Sequence, residues 1–292
     1  MRLLIHHETN YFPCSFACTT YLFTMERLAT YHDLPHELHL LVTAQLQKED
    51  LKSYALVCRR CCDMAQKFIF ENIDLKFDFN PDRAHSDRII SMKRRYFNFI
   101  HLSHNIYSLV QSLKMTCIAD CPRATDFFEL VLPVMENLHN VSLHAIGLLP
   151  ITWSVSSPLM RQSIQNAFQC SKVLTSVSLW RVEELPRGVL FDCSSLEDIS
   201  LFHVKLSEKK FIRDNQDAQP RSGPRLKSLS ITTSEEDDIA KWITEDDIFD
   251  LSNLQTFIAS VEGSHHYGGI MKIINACAAS LETFEFTPEF HG

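Results

Sequence analysis

The sequence predicts an α/β solenoid, in which a parallel sheet with outer helices follows a small module of three helices. Two observations predict this fold class: a short apolar motif recurs along residues 106–287, and stretches with helical periodicity lie between its copies. A third observation, the scarcity of glycine, excludes several classes of enzyme. We expect four parts: an N-terminal extension at 1–32, the helical module at 33–76, a helical connector at 77–105, and the solenoid at 106–292.

Residues 1–32 are expected to be a disordered extension or to include residues before the true start, for which Met25 is a candidate. Within this N-terminal part, the longest stretch without charges, Thr9–Met25, is interrupted by proline and hydroxyl residues and is too short to span a bilayer. His6 and His7 interrupt the apolar run that a secretory signal needs. We therefore expect no membrane partner and a cytoplasmic or nuclear location.

Residues 33–76 predict three short helices. Asp33 and Pro35 are typical of helix starts. The apolar side chains of the three helices are Leu34, Leu38, Leu41, Val42 and Leu46, then Leu51, Tyr54, Ala55 and Cys58, then Cys62, Ala65, Phe68 and Ile69. Three helices of this length cannot bury all of these side chains among themselves, so we expect the module to need a partner surface.

The apolar motif consists of one apolar residue followed by two others at +3 and +5. Its seven copies begin at Val110, Leu138, Leu174, Leu196, Leu226, Leu254 and Leu281. All 14 residues at +3 and +5 are apolar, whereas 18 of the 21 residues at +2, +4 and +6 are polar. Such alternation predicts one strand per copy, with one buried and one polar face.

Helical periodicity between the strands predicts helices at 126–136, 158–169, 239–249 and 268–278. The motifs begin 22 to 36 residues apart. A strand and a helix with this repeat length cannot bury both of their apolar faces alone, so the units are expected to stack with their strands parallel. A polar loop is expected at 213–224. After the last strand we expect either the end of a fragment or an edge that another protein covers.

The composition argues against catalysis and against nucleic acid as a partner. The chain has 7 glycines in 292 residues, about a third of the number that the average content of roughly 7% would give. No glycine stands two residues from another, as a dinucleotide-binding turn requires. A hydrolase is disfavoured because G-x-S-x-G and H-E-x-x-H are both absent. Residues 147–292 carry 13 basic and 20 acidic side chains, a net charge of -7 that disfavours nucleic acid. We expect no catalytic residue and no cofactor.

Ten cysteines are present, three of them clustered at positions 58, 61 and 62. No second C-x-x-C follows at the spacing of a zinc site. The favoured interpretation is that the cysteines are small buried hydrophobic residues in a reducing compartment, and the alternative is a metal site or disulfides. We expect no metal site.

The helical module resembles the F-box, whose pattern is L-P-x-E-[LI], then a D-L pair, then V-C-R-x-W. The matching residues are Leu34, Pro35, Glu37, Leu38, Asp50, Leu51, Val57, Cys58 and Arg59. The position of the tryptophan is occupied by Cys61. The resemblance covers about forty residues of this chain and follows the order and spacing of the family pattern.

The motif at 106–287 resembles the leucine-rich repeat, L-x-x-L-x-L. It departs from the common form at +8, where the Asn or Cys of that family is replaced by residues such as Ile118 and Val182. Together the two segments resemble F-box proteins with leucine-rich repeats, of a divergent kind that is common in fungi.

The resemblance implies a non-catalytic substrate receptor of a cullin-type ubiquitin ligase. The F-box would bind a Skp-family adaptor and through it a cullin, and the repeats would bind the target protein. The residues expected in the core of the F-box or at the adaptor are Leu34, Pro35, Leu38, Leu46, Leu51, Val57, Cys58 and Cys61. The alternative is a leucine-rich-repeat scaffold whose F-box has decayed.

Four residues on the polar face of the strands are candidates for binding the target: Trp180 and Phe202, with His144 and Ile258. Trp180 and Phe202 occupy the same position on neighbouring predicted strands, which favours a side-by-side pair. An exposed aromatic pair on a surface of serine and threonine is a candidate anchor. The alternative is that the chain folds over the pair, for example with the loop at 213–224.

Overall fold

The computed structural model describes residues 35–77, 104–117, 131–145, 150–208, 223–233, 236–244, 248–262 and 267–289. The helices are α1 (His36–Ala44), α2 (Lys48–Tyr54), α3 (Arg59–Glu71), α4 (His104–Tyr107), α5 (Pro158–Cys170), α6 (Glu236–Thr244) and α7 (Gly268–Cys277). The strands are β1 (Asn72–Phe77), β2 (Ser112–Cys117), β3 (Asn140–Ala145), β4 (Ile151–Thr152), β5 (Ser176–Trp180), β6 (Val182–Glu183), β7 (Asp198–Phe202), β8 (Ser228–Thr233), β9 (Thr256–Glu262) and β10 (Thr283–Glu289).

The fold is α/β, and its main element is a sheet of eight strands in the order β1-β2-β3-β5-β7-β8-β9-β10. Every neighbouring pair of strands in it is parallel. A second, two-stranded sheet joins β4 to β6. The sheet therefore grows by one strand at a time along the sequence, which brings equivalent positions of successive units into register.

This register aligns the apolar residues of the motif into rows across the sheet. Leu113 of β2 is level with Val141 of β3, which is level with Val177 of β5. These residues are buried in one continuous core with apolar side chains of the helices, among them Phe168 of α5 and Trp242 of α6. The helices α5 and α6 therefore pack on the face of the sheet that carries the +3 and +5 positions.

The seven strands that the motif predicts are all present, as β2, β3, β5 and β7–β10. One strand of the main sheet, β1, was not predicted, because almost all of its residues lie in the segment expected to be the helical module. Phe70, Ile73 and Leu75 repeat the motif, and Ile73 and Leu75 are in register with the apolar residues of β2. The signal for an eighth strand was thus present in the sequence.

The predicted helices at 158–169 and 268–278 correspond closely to α5 and α7. The helix predicted at 239–249 is wrong at both ends, because α6 spans Glu236–Thr244. Ile248 and Phe249 lie outside it but are buried, which explains why they continued an apolar pattern. Of 126–136, only the end is described, and it contains a 3-10 helix at Leu132–Val134.

The last strand departs from the predicted burial. Phe284 and Phe286 of β10 occupy the +3 and +5 positions that are buried in the other copies, yet they are 43% and 37% exposed. Their partners in β9, Phe257 and Ala259, are buried. Burial of these side chains requires a neighbouring strand on each side in the sheet. Within the described residues, β10 has a neighbouring strand, β9, on one side alone.

Three predicted segments lie wholly or largely outside the described part of the chain. They are the extension at 1–32, all but the last two residues of the loop expected at 213–224, and most of the connector at 77–105.

Gly223 marks a close backbone approach. A Cβ atom at this position would clash with the carbonyl group of Ile248. We expect Gly223→Ala to lower the free energy of unfolding by roughly 1–3 kcal/mol, the usual cost of forcing extra volume into a packed site. Urea denaturation checks this. Gly268→Ala is the matched control because Gly268 is exposed at the start of α7, and equal effects of the two changes would contradict the prediction.

Candidate protein-interaction surfaces

Three aromatic side chains form a row across the polar face of the sheet. The register pairs His144 of β3 with Trp180 of β5, and Trp180 with Phe202 of β7. The ring centroids of His144 and Trp180 are 5.3 Å apart, and those of Trp180 and Phe202 are 5.2 Å apart in a stacked arrangement. We call this row the aromatic platform. The predicted side-by-side pair is therefore confirmed, and His144 extends it.

The platform is accessible in the described part of the chain. Trp180 is 41% exposed, and His144 and Phe202 are partly exposed. The loop that was considered as a cover lies largely outside the described residues. Exposed aromatic rings in a row offer a large rigid contact area at low cost in side-chain entropy, as protein-binding sites do.

A row of serines runs beside the aromatic platform. Four serines occupy the +4 position on successive strands and are level with one another, namely Ser142, Ser178, Ser200 and Ser230. Serine is much smaller than the neighbouring aromatic rings, so this row leaves room next to them. Its hydroxyl groups both donate and accept hydrogen bonds. The two rows together combine a stacking surface with a polar one.

The backbone turns sharply where β5 and β7 end. Arg181 and His203, each directly after a platform residue, have φ angles of 56° and 49°. Their amide groups donate hydrogen bonds to the carbonyl oxygens of Phe202 and Thr232, at 2.7 and 2.6 Å. A non-glycine residue in this region costs of order 1–3 kcal/mol and persists where its surroundings hold it. These bonds therefore fix the strand ends next to the platform.

The surroundings of His144 favour the neutral form of its ring, because its pKa is lowered. Burial lowers the pKa of His144, and the nearby Lys114 lowers it further, while Asp74 acts in the opposite direction. Burial also raises the pKa of Asp198, at the other end of β7, with a contribution from Glu197. Stacking and apolar contact are thus the interactions that the platform itself offers.

Ile258 does not belong to this surface. It lies on the same face, 36% exposed, but in the row of the serines, level with Ser230. Since β8 separates its strand from β7, the structure does not bring Ile258 together with the platform.

The predicted adaptor residues of the helical module fall into a buried group and an exposed group. Leu51 and Cys61 are 4% and 0% exposed and belong to the core of the module. Val57 is 68% exposed and Leu38 is 45% exposed. The other described members are exposed or partly exposed, namely Pro35, Leu46 and Cys58, and Leu34 lies outside the described residues.

Three further apolar side chains of the module are exposed. Leu41 and Val42 of α1 are 63% and 47% exposed, and Leu56, in the turn after α2, is 84% exposed. None of the three was among the predicted adaptor residues. The available signal was the excess of apolar side chains over what three short helices can bury. With Leu38 and Val57 they form what we call the apolar surface of the module.

The buried side of α1 is more polar than its sequence suggests. His39 and Thr43 are the two buried side chains of this helix, and the Thr43 hydroxyl donates a 2.6 Å hydrogen bond to the His39 carbonyl oxygen. The apolar stripe predicted for α1 instead faces outward, at Leu38, Leu41 and Val42. Several exposed apolar side chains on one helix are typical of an interaction site.

In the described ranges, no group of three His, Cys, Asp or Glu side chains is arranged to hold a metal ion. No helix among the described residues is long and apolar enough to cross a membrane. The chain matches no protein-family model, and comparison with curated proteins finds no match.

Proposed function

We propose that this protein is the substrate-recognition subunit of a Skp-cullin-F-box ubiquitin ligase. Its helical module would be an F-box that binds the adaptor, and its sheet domain would be a leucine-rich-repeat solenoid that binds the target. It would perform no chemistry itself, because a recruited conjugating enzyme supplies the catalysis. Its contribution is to hold the target at high effective concentration near that enzyme.

One observation carries the proposal: the module with the F-box-like sequence exposes an apolar surface. Leu41, Leu56 and Val57 are each more than 60% exposed. Leaving several large apolar side chains in water is unfavourable, and covering them with a partner recovers about 25 cal/mol per Å². The match of the motif in order and spacing supports a Skp-family adaptor as this partner.

The sheet domain supports the second half of the proposal. Its strands lie in sequence order, in register and all parallel, and helical segments separate several of them. Stacked units of this kind present the polar face of their sheet as one continuous binding surface. The aromatic platform lies on that face.

Co-purification tests the adaptor half. The full chain is expected to retain a Skp-family adaptor and a cullin when it is isolated from cells, with both identified by mass spectrometry. Direct binding to the purified adaptor is the second measurement. Absence of binding in both would overturn the ligase assignment.

A repeat scaffold with a decayed F-box is the second candidate. It is favoured by Cys61, which occupies the tryptophan position of the family pattern and is fully buried, so this position offers a partner no anchor. Target binding without adaptor binding would support this candidate.

The aromatic platform yields a separate prediction about the target. We expect Trp180→Ala with Phe202→Ala to weaken target recovery by about 30-fold, since loss of a binding hot spot costs about 2 kcal/mol or more. Quantitative mass spectrometry of co-purified proteins measures it. The fold should tolerate the change, because a ring pair of this kind contributes only about 0.5–1.5 kcal/mol beyond its burial.

Leu159→Ala is the matched control, because Leu159 is 61% exposed on α5, away from the polar face of the sheet. Unchanged recovery of every partner by the double variant would remove the platform from the binding site.

A further inference from the structure

Two cysteines of the helical module, Cys58 and Cys61, lie in contact at the start of α3. Cys58 is the N-cap residue of this helix, and Cys61 follows in its first turn. The Cys58 thiol donates to the Cys61 sulfur, with 3.3 Å between the two Sγ atoms. The Cys61 amide donates in turn to the Cys58 sulfur at 3.4 Å. The two sulfur atoms thus face each other directly.

The two sulfur atoms differ in accessibility. Cys58 is partly exposed, whereas Cys61 is 0% exposed beneath it. A reagent from solvent therefore meets Cys58 first, and Cys61 is the group placed to react second. A partly exposed cysteine next to a buried resolving cysteine is the arrangement that redox-active thiols require.

The surroundings of Cys58 favour its thiolate, which is the reactive form. The Cys61 amide is the main cause that lowers the pKa of Cys58, followed by the Cys61 thiol, and the charge of Arg60 lowers it further. The sheet domain provides the contrast. Burial raises the pKa of Cys193 to about 12, and its thiol donates a 2.8 Å hydrogen bond to the Phe168 carbonyl oxygen.

We propose that Cys58 and Cys61 form a redox-active dithiol that exchanges with small-molecule disulfides. The Cys58 thiolate attacks one sulfur of the disulfide, forms a mixed disulfide with it and releases one thiolate. The Cys61 sulfur then attacks the Cys58 sulfur, which forms the Cys58–Cys61 disulfide and releases the second small-molecule sulfur, and the Cys61 proton passes to this leaving group. The protein loses two electrons, and the small disulfide gains them as it becomes two thiols.

The dithiol adjoins the apolar surface of the module, because Val57 precedes Cys58 directly. Closing the disulfide joins the N-cap of α3 to its first turn and replaces the hydrogen bonds that now position them. We infer that oxidation weakens adaptor binding, a consequence that rests on the proposed function, whereas the dithiol itself does not.

The test of the dithiol uses the full chain in glutathione buffers of varied ratio of oxidised to reduced form. Rapid alkylation and peptide mapping then identify the cysteines that have reacted. We expect a Cys58–Cys61 disulfide that appears and disappears reversibly with the ratio. At neutral pH we also expect Cys58 to be alkylated at least about tenfold faster than Cys193. Absence of the 58–61 disulfide at every ratio would overturn the dithiol.

Two variants sharpen this test. Cys61→Ser is expected to trap glutathione on Cys58, because the second step is then blocked. Cys62→Ser is the matched control and should form the disulfide as the unchanged protein does, since Cys62 contacts Gln66 through its sulfur. Loss of the disulfide in Cys62→Ser would assign the chemistry to a different pair.

Binding of the purified adaptor to the reduced and oxidised protein tests the consequence. We expect affinity at least about tenfold lower after oxidation. Equal affinity in both states would overturn the regulation and leave the dithiol intact, whereas no binding in either state would overturn the proposed function instead.

Discussion

Replacing Trp242 by alanine is expected to lower the free energy of unfolding by about 3–5 kcal/mol, the range for truncating a large buried aromatic side chain. Trp242 is 0% exposed in α6. Its indole N–H donates a 2.8 Å hydrogen bond to the Arg187 carbonyl oxygen, and its ring meets Phe249 edge to face with centroids 5.2 Å apart. The loss is large because a domain is typically stable by only about 5–15 kcal/mol.

A second contact joins α6 to the segment that contains Arg187. The Arg187 guanidinium lies 2.5 Å from a carboxylate oxygen of Asp238, also in α6. Trp242 and Asp238 therefore both attach this helix to the segment that follows β6. Deleting the indole leaves a cavity and an unsatisfied carbonyl group at this junction.

Urea denaturation followed by circular dichroism measures the effect of Trp242→Ala. Trp242→Phe is expected to cost less, about 1–3 kcal/mol, because an aromatic ring still fills most of the site and only the hydrogen bond and some volume are lost. Trp180→Ala removes an equally large side chain from an exposed site and should have the smallest effect of the three. A cost below about 1 kcal/mol for Trp242→Ala would contradict its assignment to the core.

The second large effect is expected at the apolar surface of the helical module. Replacing Leu41 and Val57 together by arginine should weaken adaptor binding by about 100-fold or more, since each buried apolar anchor of an interface contributes about 2 kcal/mol. Both side chains are exposed in the isolated chain, at 63% and 68%. The free energy of unfolding should therefore change by only about 0.5 kcal/mol.

Titration calorimetry with the purified adaptor measures this prediction. Leu159→Arg is the matched control, since Leu159 is similarly exposed at 61% but lies on α5 of the sheet domain. Leu51→Ala tests a buried position of the same module. Leu51 is only 4% exposed, so its loss should unfold the module. Full adaptor affinity in the double arginine variant would exclude this surface as the docking site.

Much of the sheet was predictable because the alternation of a strand is a local property. Side chains at +3 and +5 point to one face whatever surrounds them, so the strands and the side-by-side Trp180 and Phe202 followed from spacing alone. The eighth strand was missed although Phe70, Ile73 and Leu75 carry the motif. Its residues immediately follow the third helix, and the resemblance to a helical module dominated their interpretation.

The boundaries of α6 were less predictable. Ile248 and Phe249 extend the apolar pattern of the helix, yet they are buried outside it. An apolar side chain contributes the same burial energy in a helix and in a connection, so periodicity alone does not locate the end of a helix.

The sequence by itself determined the alternating strands of the main sheet, their number apart from β1, and the face on which the aromatic residues lie. Only the tertiary structure decided which positions of one motif are buried, because burial depends on neighbours that are distant in sequence. Phe257 and Phe284 occupy the same motif position, yet the first is 0% and the second 43% exposed. For the same reason, only the structure shows that Cys61 is buried and Val57 is exposed. It also shows that the sulfur atoms of Cys58 and Cys61 are 3.3 Å apart.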